Sequence, residues 1–314
     1  MVIDIDIKCS RLREPSEATG AARVDVGAGL WRRGARAAGR PGFRRRRCNG
    51  SVRDGSVVFH RIPSARRTGA SGIHYPKGMV MKIEGAVVFV TGANRGLGLE
   101  FAKQALERGA RKVYAGARDP ASVTLPGVVP VKLDVTDPAA VAAAADAARD
   151  VTLLINNAGI ARLGSLTDDG AVDALRDHLE TNVFGMLAMS RAFAGTLASH
   201  GGGAILNVLS VASWVNRPIL SGYGVSKSAA WALTNGLRHS LREQRTQVVG
   251  LHAGFIDTDL TRGLEVPKAT PADVVRQAYD AIESGAEEVS TDDFTRQVKA
   301  TLSAGVYLDE ATPL

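Results

Sequence analysis

The sequence predicts an α/β fold: a doubly wound parallel sheet of about seven strands, with helices on both faces. From residue 86 onward, short runs of β-branched residues alternate with longer stretches of helical periodicity. This alternation is typical of βαβ units, which build a parallel sheet. The strand-like runs are also apolar throughout, as a sheet that is covered on both faces requires.

Seven short aliphatic runs predict the strands. The first, AVVFVTG, ends in a glycine turn, and the fourth, VTLLINNAG, ends in two asparagines before a small pair. The predicted strands cover residues 86–92, 112–117, 128–135, 151–159, 204–210, 247–254 and 287–291.

Five helices are predicted between these strands. Gly109 follows the first helix at the position typical of a C-terminal cap. Asp137 before Pro138, and Thr270 before Pro271, each place a capping side chain ahead of a proline in the first turn. The predicted helices cover residues 97–109, 138–149, 171–198, 222–242 and 271–284.

The first quarter of the chain differs from the rest in charge. The sequence has 39 Lys and Arg against 32 Asp and Glu, and residues 1–80 contain 17 of the basic residues and 6 of the acidic ones. The net charge is therefore +11 in this quarter and −4 in residues 81–314. The quarter is rich in Gly and Arg without a sustained apolar period, which favours disorder. We expect residues 1–80 to be a disordered basic leader that results from a mis-assigned start of the sequence. The true start would then be Met79 or Met81, and the folded domain would be residues 81–314.

The composition excludes several kinds of site from the predicted domain. Cys9 and Cys48 both lie in the leader, so residues 81–314 have no disulfide, thiolate nucleophile or cysteine zinc site. No apolar run approaches the roughly 18 residues that a membrane span needs, and the arginines are not followed by the apolar segment of a secretory signal. A cytoplasmic domain without a membrane span is expected. Nucleic-acid or anionic-lipid binding by RPGFRRRR (40–47) is the less favoured alternative for the leader.

The segment TGANRGLGLE (91–100) predicts a dinucleotide-binding loop. Its three glycines lie between the first predicted strand and the first predicted helix, the context in which this motif is informative. Gly92 permits the tight turn, Gly96 lets the backbone approach a pyrophosphate, and Gly98 allows the helix to pack closely on the strand. The N–H groups at the helix N-terminus favour phosphate binding. A plain tight turn is the alternative.

NADP is the predicted cofactor, and NAD is less favoured. An acidic residue about 20 positions after the glycines holds the ribose 2′-hydroxyl of NAD. Here that position is Arg118, which suits a 2′-phosphate, and Arg95 would form the other side of a clamp because guanidinium groups bind phosphate bidentately. Asp119, one position along, is the observation that favours NAD.

Five motifs occur in an order and at spacings that resemble the short-chain dehydrogenases/reductases. They are TGANRGLG, NNAG (156–159), Asn182 in TNVFG, Ser210 thirteen residues before Tyr223, and YGVSK (223–227). The resemblance covers about residues 82–300. It implies a Rossmann-type fold, a nicotinamide cofactor and a catalytic group of Asn182, Ser210, Tyr223 and Lys227.

The resemblance also implies cofactor contacts beyond the glycine loop. Asp134 and Val135 would hold the adenine, and Thr258 would contact the nicotinamide carboxamide. The full predicted set is Gly92, Asn94, Arg95, Gly96, Leu97, Gly98, Arg118, Asp134, Val135, Asn157, Ala158, Gly159, Tyr223, Lys227, Gly254 and Thr258. The family commonly forms dimers and tetramers through its two long helices, so a homodimer or homotetramer is expected from the resemblance alone.

The chemistry of Tyr223 and Lys227 supports that catalytic group. Residues four apart on a helix share a face, so the two side chains point into one site. A free tyrosine has a pKa of about 10, and an ammonium together with an oxidised nicotinamide would favour the phenolate. Lowering this pKa by about 3 units takes about 4 kcal/mol of differential interaction. Tyr223 would then exchange a proton with the substrate oxygen as hydride moves to or from the nicotinamide.

The other site residues have supporting roles in this interpretation. Ser210 would bind the same substrate oxygen, Lys227 would also hold the ribose hydroxyls, and Asn182 would organise a water that passes the proton onward. Small residues in the Tyr223 helix would leave room for the cofactor; these are Gly222, Gly224 and Ser226.

Three positions depart from the family pattern without removing a catalytic group. Leu209 stands where a second serine is common, Ser213 where a glycine is common, and Ala253 where a proline usually precedes Gly254. The change at Ala253 is expected to loosen the loop over the nicotinamide.

Substrate choice is expected to depend on the least patterned segments, residues 160–166, 211–220 and 255–266. Trp214 and Phe255 indicate either an apolar pocket or core positions. His178, His239 and His252 have no metal-ligand spacing, so no metal site is predicted and these residues are expected at the surface or in the core.

The predicted function is an NADP-dependent oxidoreductase that interconverts a small carbonyl compound and a secondary alcohol, with reduction favoured. One alternative is an NAD-dependent alcohol dehydrogenase. Another is a regulator of the same fold that binds NAD(P) without turnover, which the intact catalytic group disfavours. A third makes the basic leader the functional part, as a nucleic-acid or membrane tether.

Overall fold

Seven parallel strands form one sheet, in the order β3-β2-β1-β4-β5-β6-β7. The computed structural model describes residues 81–261 and 265–308, and the predicted leader, residues 1–80, lies outside the described residues. The strands are β1 (Val87–Thr91), β2 (Lys112–Ala117), β3 (Val129–Lys132), β4 (Leu153–Asn156), β5 (Gly203–Val208), β6 (Thr246–His252) and β7 (Glu288–Ser290). The register places Val88 of β1 between Val113 of β2 and Leu153 of β4. The predicted doubly wound sheet is confirmed.

Helices cover both faces of this sheet. They are α1 (Gly96–Glu107), α2 (Pro138–Ala147), α3 (Ala171–Leu179), α4 (Met186–Ser199), α5 (Ser221–Ser240), α6 (Pro271–Glu283) and α7 (Asp293–Thr301). Within the described ranges, no helix is both long and apolar enough to cross a bilayer.

The pleat of β1 divides the core into two layers. Val88 and Val90 face the layer that contains Phe101 of α1 and Tyr279 of α6. Phe89 faces the other layer, where its ring lies 5.1 Å from that of Phe193 of α4. Successive side chains of a strand point to opposite faces, which is why an uninterrupted apolar run predicts a sheet covered on both sides.

The capping side chains act as the sequence predicts. Asp137 accepts a hydrogen bond from the Ala139 N–H ahead of α2, and Thr270 accepts one from the Asp273 N–H ahead of α6. Gly109 ends α1 with a φ of 81°, in the left-handed region that glycine favours.

Two elements differ from the sequence prediction. The single helix expected over residues 171–198 is divided by a π-helical segment, Glu180–Gly185, between α3 and α4. Helix α7 was not predicted, although Asp292 caps it by accepting from the Thr295 N–H, and Phe294 and Val298 are apolar and four residues apart. β2 has the predicted bounds, and the other six strands are shorter than predicted, mainly because the residues after them turn away into loops.

A chain of buried amides joins the central strands to α5. The Asn156 amide donates to the Asn207 side chain at 2.9 Å, and Asn207 in turn donates to the Thr234 hydroxyl at 3.0 Å. The other Asn156 hydrogen reaches the Ser190 hydroxyl of α4 at 3.0 Å. All four side chains are buried, so each of these hydrogen bonds replaces one to water that folding removes.

Asn207→Ala is expected to lower the free energy of unfolding by about 2–3 kcal/mol, because it leaves buried groups of Asn156 and Thr234 without partners. Urea denaturation followed by circular dichroism measures the change. Ser240→Ala, at an exposed position of α5, is the matched control and is expected to change the stability by less than about 0.5 kcal/mol. An Asn207→Ala protein as stable as the wild type would contradict the role of the amide chain.

Candidate active site

The predicted site residues lie beyond the carboxyl ends of four neighbouring strands. Gly92 follows β1, Asn157 follows β4, Ser210 follows β5 and Gly254 follows β6. The strand order reverses between β1 and β4, and ligands of doubly wound sheets bind in the crevice at such a reversal.

The glycine loop packs as its sequence predicts. A Cβ atom on Gly98 would lie 2.1 Å from the Gly92 carbonyl oxygen, so only glycine allows this approach of α1 to the loop. Arg95 precedes α1 without a side-chain capping hydrogen bond, and the first turn of α1 contains no acidic residue. The N–H groups of that turn are therefore suited to an anionic phosphate, and the loop fits a dinucleotide.

The asparagines of NNAG tie neighbouring strands together, as expected. The Asn157 side chain donates to the Thr91 carbonyl at 2.9 Å and to the Gly92 carbonyl at 3.1 Å. The Thr91 hydroxyl accepts from the backbone N–H groups of Asn157 and Ala158, both at 2.9 Å. These bonds fix the glycine loop against the end of β4.

Tyr223, Lys227 and Ser210 come together beside the end of β5. The Lys227 Nζ lies 5.6 Å from the centre of the Tyr223 ring and donates to the Val208 carbonyl at 2.8 Å. The lysine side chain is buried, with 5% exposure. Ser210 caps a 3-10 turn, Val211–Ser213, where its hydroxyl accepts from the Ala212 N–H at 3.1 Å.

In the protein without a bound nicotinamide, the phenol of Tyr223 is not acidic. Burial raises the pKa of Tyr223 to about 12, and the neighbouring Ser210 hydroxyl only partly opposes the rise. Burial also lowers the pKa of Lys227 to about 8, so the ammonium remains the main form at neutral pH. The lowering of the phenol pKa by the ammonium together with an oxidised nicotinamide stays a prediction.

Asn182 lies in the π-helical segment and anchors the loop that follows β4. Its side-chain oxygen accepts from the Ile160 N–H at 2.8 Å, and its amide donates to the Ile160 carbonyl at 2.9 Å and to the Ser226 hydroxyl at 2.9 Å. Both amide hydrogens are thus used by the protein. A Cβ atom on Gly159 would lie 3.1 Å from this side-chain oxygen, so the small residue permits the contact.

The small residues around Tyr223 accommodate protein side chains, and the expectation that they leave room for a cofactor is wrong. A Cβ atom on Gly224 would lie 2.4 Å from the Asn216 side chain, and one on Gly222 would lie 3.3 Å from His178 Nδ1. Ser226 donates to the Tyr223 carbonyl at 2.7 Å and accepts from Asn182.

The side chains that would select between NADP and NAD lie after β2 and β3. Arg118 is exposed, whereas the Asp119 carboxylate accepts from the Ala121 N–H at 3.0 Å and caps a short 3-10 turn. Asp134 accepts from the Thr136 hydroxyl and N–H, which lowers its pKa, and the Arg118 charge contributes to the same direction. Val135 is buried against Gly185, where a Cβ atom would lie 2.7 Å from its side chain.

Arg95 has a partner across the site. Its guanidinium lies 3.2 Å from the Asp259 carboxylate, in the loop after β6, and both side chains are largely exposed. In the same loop, Thr258 lies near Gly96, since a Cβ atom on that glycine would be 3.6 Å from the threonine methyl group. The two loops therefore face each other across the N-terminus of α1.

The loop that Ala253 was expected to loosen is held by α7, a support that the sequence interpretation missed. The Gly254 N–H donates to the Asp292 carboxylate at 2.8 Å, and the Val211 N–H donates to the Ala253 carbonyl at 2.9 Å. The sequence feature that could have predicted this support is Asp292, an N-cap residue ahead of the amphipathic stretch that forms α7.

Trp214 is half-buried and packs against the small core cluster of Val211, Val215 and Val298. Its ring stacks on His252 with the centroids 3.9 Å apart and packs edge-to-face on Trp231 at 6.2 Å. His178 and His252 are buried and His239 is exposed, in line with the expected surface or core positions. Among residues 81–261 and 265–308, no group of three or more His, Cys, Asp or Glu could hold a metal ion.

The segment after β4 forms an apolar rim beside Tyr223. The Gly164 N–H donates to the Ile219 carbonyl at 2.8 Å, and the Arg162 N–H donates to His178, whose ring lies 6.2 Å from that of Tyr223. Leu163 and Ile219 are exposed by 63% and 58%. Of the third predicted substrate segment, residues 262–264 lie outside the described residues.

Comparison with known protein families shows the family to which the chain belongs. The family model described as short chain dehydrogenase matches residues 86–268. The chain belongs to this family. It is an oxidoreductase of the short-chain dehydrogenase/reductase type, and the resemblance drawn from its motifs is confirmed.

Individual relatives differ in substrate and cofactor. Galactitol 2-dehydrogenase (L-tagatose-forming) of Cereibacter sphaeroides is 37% identical over 195 residues, 58% of this chain and 76% of that protein. A crystal structure of a short-chain dehydrogenase from Burkholderia cenocepacia in complex with NADP is 42% identical, covers 73% of this chain and 97% of that one, and has a TM-score of 0.70. A family member from Burkholderia phymatum in complex with NAD is 25% identical, covers 74% and 99%, and has a TM-score of 0.66.

Lys227→Met is expected to raise the free energy of unfolding at pH 7 by about 1–3 kcal/mol. The pKa of the buried lysine falls from 10.5 to about 8, so the protonated form costs the folded state stability at neutral pH. Between about pH 8 and 10.5 the unfolded chain binds a proton that the folded chain has released, so the wild type gains stability across this window.

Urea denaturation of the wild type and the variant at pH 7 and at pH 10 measures this difference. The stability advantage of the variant should shrink at pH 10. Lys103→Met, on the exposed face of α1, is the matched control. A Lys227→Met protein less stable than the wild type at pH 7 would contradict the cost assigned to the buried ammonium.

Proposed function

We propose that the protein is an NADP-dependent reductase that converts a small carbonyl compound to a secondary alcohol and catalyses the reverse reaction more weakly. The observation that supports this most directly is the cluster of the half-buried Tyr223 with the buried Lys227 and Ser210 at the carboxyl end of β5. A nicotinamide bound there would supply the hydride.

Tyr223 acts as the general acid in this proposal. Because its pKa is raised to about 12, the phenol keeps its proton at neutral pH and can donate it to the carbonyl oxygen. In the oxidative direction the same phenol would first have to lose its proton, whereas reduction at neutral pH starts from the protonated form that the protein already holds.

Ser210 and Lys227 support the proton donor. The Ser210 hydroxyl, fixed by the Ala212 N–H, would bind the substrate oxygen and stabilise its developing charge. Lys227 donates one hydrogen to the Val208 carbonyl, so two remain for the ribose hydroxyls. Its positive charge also lowers the cost of the phenolate that forms after proton transfer.

Asn182 is a positioning residue in this scheme. Its side chain holds both backbone groups of Ile160, and this fixes the loop that passes beside Gly159 and the substrate. Since both amide hydrogens are used, the water expected to pass protons onward would bind to an oxygen of this residue.

The preference for NADP rests on Arg118 and Asp119. The Asp119 carboxylate caps a turn through one of its oxygens, and this contact restricts the directions in which the other oxygen can accept from a ribose 2′-hydroxyl. Arg118 is exposed and its charge reaches Asp134, at the edge where the adenosine ribose would lie. The 42% identical relative in complex with NADP is consistent with this assignment.

The remaining parts of the proposal concern substrate and assembly. The exposed Leu163 and Ile219 beside Tyr223 favour a substrate with an apolar substituent. We also propose a homodimer or homotetramer in the cytoplasm, on the basis of family membership. Light scattering would test the oligomeric state.

Tyr223→Phe is expected to lower kcat for carbonyl reduction by about 10²–10⁴-fold, because the general acid is lost. The Kd for NADPH is expected to change by less than about threefold, since the ring remains in place. The measurement is NADPH absorbance over a panel of carbonyl compounds, with fluorescence titration for the Kd. Tyr307→Phe, at an exposed tyrosine, is the matched control. Unimpaired turnover by the Tyr223→Phe protein would overturn the mechanism.

Arg118→Ser is expected to lower kcat/KM for NADPH by about tenfold to a hundredfold, the value of a lost hydrogen bond to a charged group. The kcat/KM for NADH should change by less than about threefold, because NADH has no 2′-phosphate. Arg149→Ser, at the exposed end of α2, is the control. A wild-type preference for NADH, or equal losses with the two cofactors, would refute the assignment.

A further inference from the structure

His252, at the end of β6, is a buried titratable group that the proposed mechanism does not use. Its side chain is 0% exposed. The ring Nδ1 lies 3.0 Å from the carbonyl oxygen of Ser210. A carbonyl oxygen can only accept a hydrogen bond, so Nδ1 must be the protonated nitrogen that donates.

A carboxylate lies on the opposite side of the ring. His252 Nε2 is 2.9 Å from Glu288 Oε1, without the alignment of a regular hydrogen bond. A carboxylate can only accept, so this contact is attractive when Nε2 carries a hydrogen in addition to the one on Nδ1. The second Glu288 oxygen forms an ion pair with Lys299 of α7. Burial acts to raise the pKa of Glu288, but His252 and Lys299 together lower it to about 2, so the carboxylate is ionised.

Trp214 closes one face of the imidazole. The two rings are tilted by only 17° and their centroids are 3.9 Å apart. Lys299 Nζ lies 5.8 Å from the Trp214 ring, so the lysine contacts both the carboxylate and the indole. Arg238 is the other cation near this ring, and its guanidinium donates to the Val248 and Glu287 carbonyls.

A continuous series of contacts therefore joins Lys299, on the surface of α7, through Glu288 and His252 to the backbone of Ser210. The Ser210 carbonyl accepts from His252 and from the Ser213 N–H at 3.0 Å, and the Ser210 hydroxyl accepts from the Ala212 N–H. Fixing the Ser210 peptide fixes the direction of its Cα–Cβ bond, and the hydrogen bond from the Ala212 N–H then selects the rotamer that places the hydroxyl.

We propose that Glu288, held by Lys299, orients His252 so that its Nδ1–H donates to the Ser210 carbonyl, and that His252 is thereby a positioning residue for the serine that binds the substrate oxygen. This inference rests on the proposed function for its kinetic part. Its structural part, the protonation of Nδ1 and its contact with Ser210, is independent of turnover.

Two variants of His252 separate positioning from packing. His252→Phe keeps an aromatic ring against Trp214 but has no donor, and it is expected to lower kcat about tenfold to a hundredfold through misplacement of Ser210. The Kd for NADPH should stay within about twofold. His252→Asn has an amide N–H close to the position of Nδ1, and it is expected to retain kcat within about threefold of the wild type.

The contact between Lys299 and Glu288 is tested by Lys299→Met, with Lys103→Met as the control for loss of an exposed lysine. Lys299→Met is expected to lower kcat about twofold to fivefold at unchanged Kd for NADPH, because Glu288 loses one of its two partners. Long-range ¹H–¹⁵N NMR of the wild-type imidazole should find the proton of His252 on Nδ1. This spectrum decides the point if His252→Phe does not fold.

Three results would overturn the inference: wild-type kcat in His252→Phe, an equal loss in His252→Asn and His252→Phe, or an imidazole without a proton on Nδ1. If the wild type reduces no carbonyl compound, the proposed function fails instead. In that case the NMR experiment still tests whether His252 donates to Ser210.

Discussion

The candidate site depends on one buried cation, the ammonium of Lys227. An ammonium with 5% exposure is costly, and the structure compensates it mainly with the Val208 carbonyl at the end of β5. That carbonyl is available because β5 ends there and Leu209 turns to bond the end of β6. The position of the cation therefore follows from where the sheet ends, and the position of the Tyr223 ring above it follows from the helix spacing.

A second consequence of burial concerns proton transfer. The same exclusion of water that lowers the pKa of Lys227 from 10.5 to about 8 raises the pKa of Tyr223 from 10.0 to about 12, so the two pKa values move apart. A sequence pair of tyrosine and lysine indicates only that the two side chains share a helix face. The direction of the shift depends on how far each is desolvated, and that is a property of the folded protein.

Much of the fold and the site could be predicted from sequence because it rests on local rules. Aliphatic runs gave the seven strands, and Asp137 and Thr270 gave two helix starts through their caps. The order of the motifs predicted which residues meet beyond the carboxyl ends of the strands. The roles of Gly222 and Gly224 could not be predicted, since the side chains they accommodate, His178 of α3 and Asn216 of the loop before α5, are brought there by the tertiary fold. Trp214 likewise has its partners, His252 and Trp231, far along the chain.

The π-helical segment between α3 and α4 has a consequence for how this region tolerates change in length. A segment of this kind holds one residue more than a regular α-helix would. Because each π-helical residue advances by less than the roughly 100° of an α-helical residue, the extra residue is absorbed and α3 and α4 stay nearly in phase. Phe193 therefore keeps its place in the core while the wider turn carries Asn182 to Ile160. A single deletion between Glu180 and Gly185 would restore regular winding at the expense of this turn, so the cost of shortening falls on the polar anchor rather than on the apolar face.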